Sequence, residues 1–137
     1  MLRFSSAVLV TLLAGTTSAA ATGVTMTGVH ANEAFCQTMA RQVDLFGQYF
    51  KLNPLGSDTA KRAKYFADQK ALNATLVKTA PASLAGEVAR SIRESNAGID
   101  AQASGNATSI KATAAVLRSP EHLAASRRMT DYCGVKI

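Results

Sequence analysis

The chain has no tryptophan, three tyrosines and five phenylalanines in 137 residues. A core built from it cannot rest on large rings. It has only two cysteines, and no Cys-x-x-Cys. That excludes a multi-disulfide scaffold, a four-cysteine zinc site and a thioredoxin-like redox pair. There are two histidines, and the nine acidic residues are scattered. No paired-carboxylate spacing and no zinc, calcium or phosphate-loop pattern occurs. A hydrolytic centre needs a histidine beside a serine or cysteine, with a carboxylate to orient it. His30 falls before the first predicted helix. His122 falls in the first turn of the last one, where an exposed position is expected. The chain therefore reads as a non-enzyme, and neither cofactor nor metal is predicted. No segment alternates with period two, so no strand is predicted. No apolar run approaches the ~20 residues needed to cross a bilayer.

What is present begins with an export pattern. Residues 1–21 carry Arg3, a short apolar stretch at 7–14 (AVLVTLLA) and small residues at 16–21. This is the order of a secretory signal peptide. Cleavage after Ala19 and cleavage after Ala21 both fit. The competing reading, a buried N-terminal helix, fits less well because nothing amphipathic continues from it. Residues 22–31 (TGVTMTGVHA) have no usable period and read as a flexible leader. Residues 32–137 then form one domain, about the size at which a modest core can be buried.

Alanine is abundant in that domain. It favours helices and lets them approach closely, but each alanine buries little area. A core of this kind benefits from a covalent staple. Cys36 and Cys133 stand near its two ends, and in an oxidising compartment an even count argues for a bond. The closed loop would hold 98 residues, from 36 to 133. Two free thiols or an intermolecular bond are the alternatives. Net charge is +6, or +5 once Arg3 is removed. The bland reading of that charge is solubility, with cations spread over helix outer faces.

Four amphipathic segments follow. Asn32 and Glu33 suit a helix start. Phe35, Cys36, Met39, Val43, Phe46, Tyr49 and Phe50 share one face of the first helix. Asn53-Pro54 ends it. The second helix is predicted over about residues 59–78. Tyr65, Phe66, Gln69, Leu72, Leu76 and Val77 make its bulky face, and Ala63, Ala67, Ala71 and Ala74 a smooth second side. Pro81 suits the first turn of a third helix, where Leu84, Val88, Ile92, Ser95 and Ile99 repeat at helical steps. Gly105-Asn106 marks a turn. In the last segment Ile110, Thr113, Ala114 and Leu117 share a face. After an interruption at Ser119-Pro120, so do Leu123, Ser126, Met129, Thr130 and Cys133. Gly134 is a natural stop. The expectation is all-α: an antiparallel four-helix bundle with its last helix broken near Pro120. An up-down-up-down order brings Cys36 and Cys133 to the same end.

Phe35-Cys36, the segment at 76–88 (LVKTAPASLAGEV) and the ending Tyr132-Cys133-Gly134 resemble a group of small exported actinobacterial helical proteins, mostly uncharacterised. That resemblance implies an extracellular or cell-envelope location and transfers no catalytic residue. It departs from the group where Tyr132 adjoins the last cysteine, since an aromatic there usually stands a few positions earlier.

The functional expectation is an exported, non-catalytic binding protein at or outside the cell envelope. Lys61, Arg62 and Lys64, with Arg127 and Arg128, are the candidate basic patch for a protein partner or an anionic envelope component. Nucleic acid is disfavoured, because exposed aromatics do not interleave with these cations. The alternative is a carrier of an apolar small molecule, lipid or haem, in the bundle core. Tyr49, Tyr65, Tyr132 and His122 are then the candidate axial ligands for haem. Asn73-Ala74-Thr75 and Asn106-Ala107-Thr108 match the N-glycosylation pattern. They are read as chance in a bacterial source; in a eukaryotic one Asn106, in a turn, is the better site.

Overall fold

Helices carry most of the described residues, and the turn signals that fall among them separate these helices. The computed structural model describes residues 16–19, 24–51 and 59–136. The apolar stretch of the predicted signal peptide and the expected stop at Asn53-Pro54 lie outside the described residues. Helix α1 is Ala34–Lys51, α2 is Thr59–Thr79, α3 is Ala85–Ser104, α4 is Ala107–Leu117 and α5 is Pro120–Cys133. A 3-10 turn, Ala82–Leu84, follows Pro81 and leads into α3.

Three corners have identifiable causes. Gly105 ends α3 at φ 68°, a left-handed conformation that costs glycine little. The Asn106 side chain then accepts a hydrogen bond from the Ser109 N–H at 2.9 Å and starts α4. Ser119 caps α5 by accepting from the His122 N–H at 3.2 Å, and Pro120 fills the first helical position. Gly134 closes α5 at φ 63° and donates its N–H to the Asp131 carbonyl at 3.1 Å. The break expected near Pro120 is therefore real, and α4 and α5 are separate helices.

Side-chain contacts join α1 to α2, α2 to α3 and α3 to α5. Gln42 and Tyr49 of α1 meet Asn73 and Tyr65 of α2, the later residue of one facing the earlier residue of the other. Asn73 of α2 likewise meets Asn96 of α3, and Lys70 meets Asp100. Along α3, Glu87 pairs with Arg128 of α5 and Glu94 with His122. Helix α3 is thus the element on which α2, α4 and α5 all pack.

Cys36 and Cys133 are bonded, with Cα atoms 5.4 Å apart and neither residue exposed. Around them lies the larger of two apolar clusters. Phe35 and Met39 of α1, Leu76 of α2, Leu84 of the 3-10 turn, Val88 and Ile92 of α3, and Met129 of α5 belong to it. The smaller cluster joins Tyr65, Phe66 and Ile99, with Leu45 and Tyr49 packed on it.

Short strands were not expected and are present. β1 (Thr16–Ala19) pairs antiparallel with β2 (Val24–Thr27), and Met26 of β2 lies opposite Val135 of β3 (Val135–Lys136). Residues 22–31, read from sequence as a leader outside the domain, contribute Met26 and Ala31 to the disulfide-side core. The β1–β2 ladder is four residue pairs long and the β2–β3 ladder two, too short for a clear alternation in the sequence, and Gly134 turns the chain into β3. The Thr27 N–H donates to the Gly134 carbonyl at 3.0 Å.

Three faces also differ from expectation. On α2, Asn73 is buried and Val77 is exposed. The alanines at 63, 67, 71 and 74 face solvent rather than a neighbour. On α5 the buried set is His122, Ala125, Met129 and Cys133, and Leu123 points out. In both helices one neighbour decides the rotation: Asn96 claims Asn73, and Glu94 claims His122.

Two expectations follow for stability. Reduction of the disulfide should lower the melting temperature by about 10 °C or more, since removing such a bond costs roughly 2–5 kcal/mol. An unchanged calorimetric melt after verified reduction would refute this. A Cβ on Gly134 would sit 1.8 Å from the Thr27 carbonyl oxygen, whereas one on Gly86 meets nothing within 4 Å. Gly134→Ala should therefore destabilise by about 2 kcal/mol or more, and Gly86→Ala should stabilise by roughly 0.4–1 kcal/mol. Urea melts of the two variants would test the contrast, and equal midpoints would refute it.

Candidate functional site

A cleft of about 280 Å³ opens at the end of the helices away from the disulfide. Its walls are four rings. Phe46 and Tyr49 come from the last turns of α1, and Tyr65 and Phe66 from the first turns of α2. The two tyrosine rings stack 3.8 Å apart at 13°. Ile99 of α3 and Leu117 of α4 close the other side. Gly98 permits this: a Cβ there would lie 2.9 Å from a Leu117 methyl. Gln69, Ser95 and Gln102 supply the polar part of the lining. Burial pushes the Tyr65 hydroxyl above its ordinary pKa, with the Tyr49 hydroxyl adding to the effect. A second, more polar groove of about 350 Å³ lies between α1 and α2, with Arg41, Asp44 and Asp68 in its lining.

An amide relay separates the cleft from the disulfide core. Gln42 donates to the Asn73 side-chain oxygen, and Asn73 donates to Asn96 at 2.7 Å. Asn73 is fully buried, so this relay satisfies polar atoms that would otherwise cost about 1–3 kcal/mol each. It also fixes the register of three helices at their midpoint. Of the two glycosylation-pattern asparagines, Asn73 is thus locked inside, and Asn106 is the exposed cap of α4.

His122 is buried, contrary to the exposed position expected, because its ring bonds the Glu94 carboxylate across the α3–α5 seam. Below it Arg90 donates to the Glu121 carbonyl at 3.0 Å, and Arg128 pairs with Glu87 at 2.6 Å. The seam works as a polar strut for α5. Among the described residues no group of three or more His, Cys, Asp or Glu side chains could hold a metal ion.

A third constellation sits over the disulfide. The rings of His30 and Tyr132 stack 4.0 Å apart, and Phe35 meets Tyr132 edge-on. Glu33 accepts from the Tyr132 hydroxyl at 2.7 Å and lies 2.8 Å from His30 Nδ1. The Tyr132 hydroxyl, with help from His30, holds the Glu33 carboxyl below the usual carboxylate range. Glu33 in turn pushes the Tyr132 hydroxyl up. The contact's contribution is present above the ordinary carboxylate pKa and is lost as pH falls through the lowered Glu33 value. At high pH it is lost as pH rises through the raised Tyr132 value.

The structure divides the candidate basic residues. Lys61, Arg62 and Lys64 are exposed at the start of α2, beside the cleft end, and Lys64 pairs with Asp68 at 2.6 Å. Arg127 and Arg128 are exposed on α5, and Arg128 pairs with Glu87. Between Glu87 and Ile99, which mark the two ends on α3, the helix rises roughly 18 Å. The five cations therefore form two groups. The four candidate axial ligands are divided too. Tyr49 and Tyr65 stack in the cleft, Tyr132 bonds Glu33 and His122 bonds Glu94.

Sequence reasoning placed Tyr49 and Tyr65 on inward faces but did not foresee the cleft. Its only sequence signal is that the rings cluster at both sides of one turn, in 46–50 and 65–66. Compared with known proteins, the chain matches no family model, no curated protein and no solved structure.

Tyr132→Phe should move the Glu33 carboxyl pKa up, toward its ordinary value near 4.5. A carbon-detected NMR titration of Glu33 reads this directly. The same titration curve in both proteins would refute the contact.

Proposed function

We propose that this chain is an exported, non-catalytic binding protein that works at or outside the cell envelope. The observation that carries the reading is the fully buried Cys36–Cys133 bond, which closes nearly all of the helical domain. Such bonds form and persist in oxidising compartments. The signal-peptide order of residues 1–21 and the resemblance to small exported actinobacterial proteins agree with it. No helix among the described residues is long and apolar enough to cross a membrane. Cleavage after Ala19 or Ala21 removes β1 and leaves β2 paired with β3. The antiparallel contacts support a four-helix bundle whose fourth helix is α4 and α5 together.

In this reading the partner is a protein or an anionic envelope component. It meets the Lys61, Arg62 and Lys64 group or the Arg127 and Arg128 group by charge. A second reading, a carrier of an apolar small molecule, is favoured by one specific observation, the ring-walled cleft.

Native mass spectrometry of the protein, recovered from the medium or envelope fraction of its own source, tests both. The main reading expects a bare mass, beginning at residue 20 or 22 and two hydrogens short of the reduced chain. Binding to an envelope component should then weaken as salt passes physiological strength. Extra mass that disappears on denaturation moves the conclusion to the carrier reading. Recovery only from the cytoplasm, uncleaved and with both thiols reduced, would overturn export.

A further inference from the structure

We infer that the cleft between Phe46, Tyr49, Tyr65, Phe66 and Leu117 is a binding site for a neutral, flat aromatic molecule of one or two fused rings. The inference rests on the carrier reading and names its ligand class.

Size sets the first limit. A cavity of roughly 150 Å³ lined by apolar side chains takes one benzene. This cleft holds about 280 Å³, nearly twice that. Pockets for drug-sized molecules begin at roughly 300 Å³. A two-ring molecule fills the space. A porphyrin does not fit, and a long acyl chain could bury only a short piece of its length.

Shape and polarity set the next limits. Four of the lining residues are rings; Tyr49 and Tyr65 stack on each other at 3.8 Å, so each offers a ligand only its outer face and edge, beside Phe46 and Phe66. Flat ring faces match a flat ligand better than a branched aliphatic one, because offset stacking and edge contacts both become available. Among the described residues no Lys, Arg, Asp or Glu lines the cleft. A charged ligand would lose its hydration there without a counter-charge, so a neutral one is favoured. Gln69 and Gln102 offer both amide donors and carbonyl acceptors, and Ser95 a hydroxyl. One hydroxyl or ring N–H on the ligand would therefore find a partner. The buried Asn73 relay stops the cleft from extending toward the disulfide core. The relay bounds the site on that side, so among the described residues it is short.

The test is calorimetric titration of the full disulfide-bonded chain with indole, 2-naphthol and hexadecanoate. The expected result is saturable one-to-one binding of indole and 2-naphthol, with 2-naphthol tighter. Ser95→Leu fills the cleft and should weaken 2-naphthol at least about tenfold, with an unchanged helical spectrum. Should that variant misfold, Phe46→Ala serves instead. Its residue is 54 % exposed, so removing one ring wall leaves the buried packing in place, and weaker binding is expected. Failure of both ring probes to bind the parent chain overturns the inference. So does equal affinity in the parent and in whichever of the two variants folds. Hexadecanoate binding without either ring compound overturns the ligand class while leaving the carrier reading intact.

Discussion

One covalent contact holds the first and last helices together. The Cys36–Cys133 bond is the centre of the larger apolar cluster, and Phe35, Met39, Val88 and Met129 pack around it. Helix α1 rests mainly on α2, while α5 rests on α3, and backbone contact between α1 and α5 is slight. An alanine-rich chain without tryptophan has little apolar area with which to secure that seam. The bond does so by shrinking the unfolded ensemble, roughly 4–5 kcal/mol for a loop near 100 residues in the chain-entropy model. That is comparable with the net stability of a small domain. The stacked His30–Tyr132 pair, the Glu33 contact and the β2–β3 ladder then cover the same end.

With one end sealed in this way, the molecule is polar across its middle and aromatic at the other end. The Gln42–Asn73–Asn96 relay marks the boundary. Amide bonds are directional, so the relay fixes register where apolar contacts alone would permit sliding. Beyond it the rings of α1 and α2 cluster. Four bulky rings cannot all interdigitate with one isoleucine and one leucine, and a cleft remains. The strut of Glu94 with His122 and Glu87 with Arg128 keeps α5 in place along α3.

The sequence made the helix ends legible and the helix faces only in part. Gly105-Asn106, Ser119-Pro120 and Gly134 each act locally, through a left-handed residue, a side-chain cap or a fixed φ, so they can be read without knowing the neighbours. The apolar repeat of α3 was also legible, with Leu84, Val88, Ile92 and Ile99 all buried. On α2 the expected face kept Tyr65, Phe66 and Leu76 but took in Asn73 and left Val77 out, and on α5 it kept Met129 and Cys133 but took in His122 and Ala125 and left Leu123 out. Apolar periodicity could not rank Asn73 above Val77, or His122 above Leu123. Each polar residue is buried only because a specific partner waits on another helix. The cleft was illegible for the same reason, since it is a space left between four elements.

The sequence by itself determined a mainly helical domain, its punctuation and the two half-cystines that close it, because these depend on local backbone chemistry and composition. Tertiary structure alone decided that Asn73 and His122 go inside and that the candidate cations divide into two groups. It also decided that residues near 26 join the core and that Tyr49 and Tyr65 wall a cleft. Each of these is a meeting of side chains far apart in the chain. Helix rotation and register, which set such meetings, are fixed by whole-core packing and by buried hydrogen bonds rather than by any one segment.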